Sequence, residues 1–432
     1  MGGEGFDVLV VGSGPAGSVA ALVLARGGAR VALVDKAGFP RDKACGDLVG
    51  PRGVRLLEEL GLEVPGAERV GDMMVVGPTG RRVRLPCRPG TAYPGHGLVA
   101  PRTVLDETLH RAAVSAGARP FVGRAAEPLL GDGTLRGFVL SSGTRLRADV
   151  VIGADGATSR VADVAGLVDG RRVLWGFALR AYLDDPVRLP HIVLWEPAAG
   201  RGFPGYGWLF PGVGGQANVG LGLGVLSDRS AGAGATQGFE SFVAHLRRLG
   251  VLDTHRPPAP PRSRLGGWLK MGMVGTVPAR GRVLLVGDAA GLVNPLQGEG
   301  IAQAMGSGRA AAEAVLAGPG EAAARYRAVL AATYGPYQSA TAPAHAALLG
   351  RPRAVAAVGR LLTAPGVGRA LAGGWSVFWN DLLDGATPGP ARAVASTAAH
   401  LGQALTAPGR TREWFAEELG IARPRRWGRG RR

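Results

Sequence analysis

Apolar residues in this chain gather in short runs of two periodicities, and the alternation between them predicts the architecture. Phe6 to Val11 is an apolar strand, followed by a glycine-rich turn, a helical pattern from about Pro15 to Arg26, and a second strand, Val31 to Val34, ending at Asp35. That order is a βαβ opening. A loop (Ala37 to Arg52) leads to a helix near Val54 to Leu60 that stops at Gly61, then to strand-like pieces at 72–76 and 81–85. Pro101 to Ala116 reads as a helix with Leu105, Leu109 and Ala112/Ala113 on one face. Strand patterns recur near 121–127, 135–140 and 144–152, the last running into VVIGADGATSRVA. Residues 173–225, rich in aromatic and β-type residues, predict a second, antiparallel sheet. A strand from Arg282 is followed by helical patterns from about 300, and 351–410 predicts short helices broken by Pro and Gly.

The fold class expected is α/β: a Rossmann-type dinucleotide-binding domain interleaved with an antiparallel-sheet substrate domain, plus a C-terminal helical region. The interleaving places the dinucleotide domain at 1–70, 101–170 and 276–320, the substrate domain at 71–100 and 171–275, the helical region at 321–422, and a basic tail at 423–432. With 46% apolar and 19% charged residues the composition is globular. Only Lys36, Lys43 and Lys270 are lysines among 50 basic residues, and the net charge is +17. Part of that charge sits in the last ten residues, RPRRWGRGRR, which read either as a solubilising tail or as an attachment to anionic lipid. No nucleic-acid recognition module accompanies the tail. Two cysteines, Cys45 and Cys87, make no disulfide framework, and the seven histidines show no metal-ligand spacing. Without a signal peptide or a long apolar run, the expectation is a cytoplasmic protein, peripheral at the inner membrane face if the tail binds lipid, and one that holds no metal.

Two loops carry cofactor chemistry. Gly12-Ser13-Gly14-Pro15-Ala16-Gly17 follows a strand and opens a helix. The first glycine permits the turn, the second lets backbone approach a pyrophosphate, and the third lets helix and strand pack closely. The free N–H groups at the helix start favour phosphate. Asp35 ends the next strand, where an acid accepts ribose hydroxyls and disfavours a 2′-phosphate; Lys36 follows it. Far along the chain, Gly287-Asp288 ends an apolar run, placing a carboxylate for a ribityl hydroxyl, and Gly298-Glu299-Gly300 leads into a helix at Ile301 whose N–H groups suit an anionic reduced flavin. Asp288 also reads as a helix N-cap.

GSGPAG, the turn containing Asp155 in Gly153–Arg160, and GDAAGLVNPLQGEGI together resemble the p-hydroxybenzoate hydroxylase-type flavoproteins. The resemblance implies FAD, with Arg102 near the flavin. FPRDKACGD (Phe39–Asp47) and PGYGWLFP (Pro204–Pro211) are similar to geranylgeranyl reductases and bacterial menaquinone reductases. That resemblance implies a substrate cavity lined by Tyr206, Trp208, Phe210 and Pro211, with Cys45 and Gly46 beside the flavin and Cys45 as the candidate for proton delivery or positioning. The alternation of the three aromatics itself places them on one sheet face. The function implied is hydrogenation of isoprenoid C=C bonds, with NAD(P)H or an electron-donor protein such as ferredoxin as reductant. Two alternatives stand beside it: a flavin monooxygenase or halogenase, and a prenyl-binding escort protein without flavin.

Overall fold

The computed structural model describes residues 4–87, 93–194, 205–226, 235–253, 262–348, 352–366 and 368. Its architecture follows from which apolar runs are covered on both faces. Val8–Val11 and Val31–Val34 are fully buried, so their strands lie inside a parallel sheet, where continuous apolar sequence is needed. Strand Glu4–Val11 pairs in parallel with Val31–Asp35 on one side and Arg145–Gly153 on the other. Arg119–Val122 extends the sheet beyond Val31–Asp35, and Val283–Leu285 extends it beyond Arg145–Gly153. Antiparallel strands complete it: Ala279–Arg280 at one edge and the pair Ala125–Gly131/Thr134–Leu140. Where the sequence predicts one strand at 121–127, the chain makes two, parted at Gly123–Arg124, where the Gly123 amide bonds to Asp35 O at 2.8 Å.

Helices Pro15–Arg26, Arg102–Ser115 and Ile301–Leu316 pack together on this sheet. The first and last approach backbone to backbone: a Cβ on Gly308 would lie 2.1 Å from Ala16 O.

A second, seven-stranded sheet runs in the order Arg262–Met271, Leu174–Leu183, Ala217–Leu226, Gly205–Pro211, His191–Val193, Met73–Val76, Arg82–Leu85. It is antiparallel except where His191–Val193 runs parallel to Met73–Val76, because that contact joins segments far apart in sequence and not a hairpin. Helix Ala235–Arg248 covers one face through Phe239, Phe242 and Leu246. The Phe242 ring reaches within 1.9 Å of where a Gly207 Cβ would stand, so only glycine admits it. A small sheet of Leu48–Val49, Gly97–Val99 and Glu68–Val70 completes the strands.

Helices Ala322–Thr333, Gly335–Leu348 and Pro352–Leu362 follow. Tyr326 Oη donates to Leu285 O at 2.7 Å and Gln338 Nε2 to Leu292 O at 3.3 Å, tying the first two of these helices to the strand Val283–Leu285 and the loop that follows it. Most of 351–410 and the basic tail lie outside the described residues. No helix among the described residues is long and apolar enough to cross a membrane.

Candidate functional site

The first turn is built by exclusion. Gly12 has φ +104, and a Cβ there would lie 2.2 Å from Ala154 O; one on Gly17 would lie 1.8 Å from Gly12 O. Gly14 differs: a Cβ on it meets only Arg41 Nη2, at 3.7 Å, so its face is open to a ligand. Gly14 is also the N-cap of the helix starting at Pro15 and makes no side-chain cap, which leaves the first N–H groups free. Asp35, nearly buried, accepts from the Ser13 amide at 2.8 Å and from Arg41 at 3.2 Å through Oδ2, and from the Ala37 amide at 3.1 Å through Oδ1. Lys36 is exposed.

The second loop lies against the same helix, with Ala16 Cβ 3.1 Å from the would-be Cβ of Gly287. Asp288 caps no long helix. It lies in the 3₁₀ turn Gly287–Ala290, and its carboxylate pairs with Lys43 Nζ at 3.4 Å. Helix Ile301–Leu316 has Gly300 as its uncapped N-cap, so its open N–H groups point out of the helix start, beside Gly298. Asp155 spends its carboxylate locally, accepting from Ser159 Oγ, the Arg160 amide at 2.6 Å and the Val161 amide at 3.2 Å.

The aromatic strand meets the second loop and the Cys45–Gly46 segment. Tyr206 Oη lies 2.7 Å from the would-be Cβ of Gly298, and Phe210 Cε2 lies 2.8 Å from that of Gly46. Trp208 and Phe210 stack with ring centres 6.3 Å apart, and Tyr206 and Trp208 are 6.4 Å apart. The neighbouring strand makes room: Gly220, paired opposite Trp208, would put a Cβ 2.0 Å from its indole. Pro211 ends the same strand, opposite Ala217.

Cys45, partly buried, accepts at Sγ from the Asp47 amide at 3.4 Å. Burial pushes its thiol pKa up, partly opposed by the positive charge of Arg102, which also hydrogen-bonds to it. Arg102 is itself buried and bidentate to Asp106 at 2.7 and 2.8 Å. Arg41 bridges Asp106 (3.3 Å) and Asp35 (3.2 Å), so one run of charges joins the first turn to Cys45.

Sequence reading missed Asp47, Asp106, Arg180, Tyr182, Asn218 and Lys270. Asp106 had a signal, the i,i+4 spacing from Arg102. The others come together only through long-range folding. Lys270 is 1% exposed and donates to Ala289 O at 2.9 Å, under the second loop. Burial pushes its pKa down to about 8, against the opposing charges of Asp155 and Asp288. The folded state thus binds fewer protons than the unfolded chain between pH 8 and the unfolded lysine pKa of about 10.4, and stability rises with pH there. Lys270→Met is expected to remove a penalty on the order of 3 kcal/mol. That component should be fully present below pH 8 and fade toward about 10.4. A difference from wild type that stays flat with pH in denaturant titrations of the apoprotein would refute this account.

These residues fit FAD: two uncapped helix starts, the open face of Gly14, and acids at the end of one strand and just after another. Among the described residues no cluster of His, Cys, Asp and Glu is arranged to hold a metal ion.

Residues 5–325 match the family described as FAD binding domain. The chain is 37% identical over 322 residues to menaquinone reductase of Mycolicibacterium smegmatis, covering 72% of this chain and 76% of that protein. It is 33% identical over 332 residues to geranylgeranyl diphosphate reductase of Rhodobacter capsulatus, covering 72% and 75%. Among solved structures, a geranylgeranyl bacteriochlorophyll reductase-like protein of Thermoplasma acidophilum superposes with a TM-score of 0.64 at 21% identity, over 97% of this chain and 100% of that one. A flavin-dependent brominase does so with a TM-score of 0.68 at 16% identity, over 92% and 99%. At these identities the two structures share the fold alone. The chain belongs to the geranylgeranyl reductase and menaquinone reductase family of FAD-dependent oxidoreductases.

Proposed function

We propose that this protein hydrogenates C=C bonds of an isoprenoid chain, with the polyprenyl chain of a menaquinone as the leading substrate. The observation that carries the reading is the Tyr206–Trp208–Phe210 wall, packed on glycines and facing both Gly46 and Gly298. Such a wall suits a branched apolar chain, and identity is higher to the menaquinone reductase than to the geranylgeranyl diphosphate reductase.

Bound FAD, once reduced, supplies the hydride. The rest falls to the chain's own residues. An isolated alkene develops positive charge as it accepts hydride, and aromatic faces stabilise a cation while keeping water out. Cys45, its thiol pKa raised by burial, keeps its proton at neutral pH and donates it to the second carbon. Arg102, held by Asp106, keeps the Cys45 side chain in place.

The halogenase reading needs a lysine at the substrate. Here Lys36 is exposed, Lys43 pairs with Asp288, and Lys270 is bound to Ala289 O. The escort reading has no use for the open Gly14 face. The reductant is either NAD(P)H or an acidic ferredoxin, which the net charge of +17 would suit, and loss of coupling at raised salt distinguishes the ferredoxin.

With the product reoxidised to the quinone before mass spectrometry, so that headgroup reduction does not count, anaerobic, chemically reduced enzyme is expected to leave menaquinone heavier by about 2 Da per saturated bond. Failure on menaquinone, polyprenyl diphosphates and prenyl ether lipids alike would reject the reading. Cys45→Ala should retain flavin and lose about 10²-fold or more in turnover. Wild-type turnover in that variant would remove Cys45 from the reaction.

A further inference from the structure

The Cys45 loop is laid along the face of the second sheet that carries the aromatic wall. Asp42 pairs with Arg180 on strand Leu174–Leu183, and Asp47 Oδ2 accepts from Tyr182 Oη on the same strand. Ala44 Cβ lies 3.4 Å from the would-be Cβ of Gly267 on strand Arg262–Met271. Between these ties stands Asn218, wholly buried on strand Ala217–Leu226, with Phe210 paired on one side and Tyr182 on the other. Its Oδ1 accepts from Trp208 Nε1 at 2.9 Å, and its Nδ2 donates to Cys45 O at 2.8 Å and to Asp47 Oδ2 at 2.9 Å. Both amide hydrogens and the amide oxygen are therefore in use. Turning the amide over would set its oxygen against a carbonyl and a carboxylate, so the partners allow one orientation.

We propose that Asn218 is the positioning residue that sets the place of the Cys45 thiol relative to the aromatic wall. This rests on the reading of Cys45 as the donor to substrate. Protonation of one alkene carbon requires the thiol to stand at a fixed distance from a chain lying on the wall. Asn218 supplies that reference by holding Trp208 of the wall with one end of its amide and the Cys45 carbonyl with the other. Gly46, between its two loop partners, rests on the same rings, with Phe210 Cε2 2.8 Å and Trp208 Nε1 3.3 Å from its would-be Cβ. The sulfur end of Cys45 is held separately, by the Asp47 amide at 3.4 Å and by Arg102. With carbonyl and sulfur both fixed, the side chain keeps one direction relative to the indole.

Asn218 moves no proton and, being wholly buried, acts through its partners and not on the substrate. Its removal frees the Cys45 carbonyl and lets the thiol drift. A misplacement of about 1 Å is enough to slow a reaction about 10²-fold. Trp208 keeps its seat in the space over Gly220 and its stack on Phe210, so the surface that receives the chain persists. The loss therefore falls on the chemical step and is bounded by the loss on deleting the thiol itself.

The test uses anaerobic holoenzyme and menaquinone in detergent. Excess dithionite keeps both flavin and headgroup reduced, and saturated bonds are counted by mass after reoxidation. Asn218→Leu keeps the side-chain size and removes all three hydrogen bonds. It should retain flavin, hold KM for menaquinone within about threefold and lower kcat by about 10- to 10²-fold. In a Cys45→Ala background the same substitution should change kcat by less than about twofold, because the group it positions is gone. A residue that only supports the fold would slow both backgrounds alike. Asn218→Ser, too short to span both partners, should give the same pattern and serves where leucine prevents folding. A kcat near wild type in either variant, a loss carried by KM, or an equal loss with and without Cys45 would each overturn the positioning role. No product from wild type, or wild-type turnover in Cys45→Ala, would instead fail the reductase or Cys45 reading, and this role with it.

Discussion

Gly17→Ala is expected to yield a colourless protein. The added methyl would sit 1.8 Å from Gly12 O and 3.0 Å from Ala154 Cβ, and neither neighbour is the end of a flexible side chain. Relief requires helix Pro15–Arg26 to move off its strand. That helix is also held on its far side, where Ala16 O lies 2.1 Å from the Cβ position of Gly308. The strain therefore reaches the helix that begins at Ile301, and both uncapped helix starts lose their register with one another. Overpacking of this kind costs about 1–3 kcal/mol or more, and a rigid backbone oxygen puts it at the upper end. FAD affinity should fall at least about 100-fold, since a phosphate site depends on where the N–H groups point. Gly14→Ala is the matched control. Its methyl meets only Arg41 Nη2 at 3.7 Å, so the apoprotein should melt as wild type does while FAD binding weakens. Absorbance of the purified proteins and apoprotein melting separate the two effects. A Gly17→Ala protein that purifies with stoichiometric flavin would contradict the geometry.

The contrast between those glycines also shows what a sequence can disclose. The βαβ opening was legible because Val8–Val11 and Val31–Val34 are apolar without alternation, which only a doubly covered strand requires. Spacing alone gave Gly12, Gly14 and Gly17 their different roles, and the structure keeps all three distinct. The aromatic wall was legible from its period of two, and Gly220 opposite it leaves the space that the Trp208 ring fills. Asp47 was invisible for the opposite reason. Its partners Tyr182 and Asn218 lie 135 and 171 positions away, and no local pattern records a contact made by folding one sheet against a loop. The break at Gly123 was missed because tertiary pairing decides where a strand stops.

Asp106 had a local signal but not its consequence, and it carries the second large effect. Its side chain is wholly buried, bidentate to Arg102 and bridged to Arg41 at 3.3 Å. Asp106→Ala leaves the Arg102 guanidinium, 4% exposed, without its counter-charge. A lysine could discharge itself by losing a proton; an arginine cannot. Breaking such a pair costs about 3–5 kcal/mol, chiefly from the stranded charge. Removing both partners with apolar residues, Arg102→Met with Asp106→Leu, should recover most of that loss, because the desolvation of two ions disappears with them. Stability and chemistry then part company. Arg102 is the group that holds down the thiol pKa of Cys45 against burial, so the double variant should be stable yet carry a thiol with a higher pKa. Denaturant unfolding of the two single variants and the double gives the coupling energy, and the pH dependence of Cys45 alkylation reads the thiol. An Asp106→Ala protein within about 1 kcal/mol of wild type would mean that water or another residue neutralises Arg102, and the charge run from Asp35 to Cys45 would lose its physical basis.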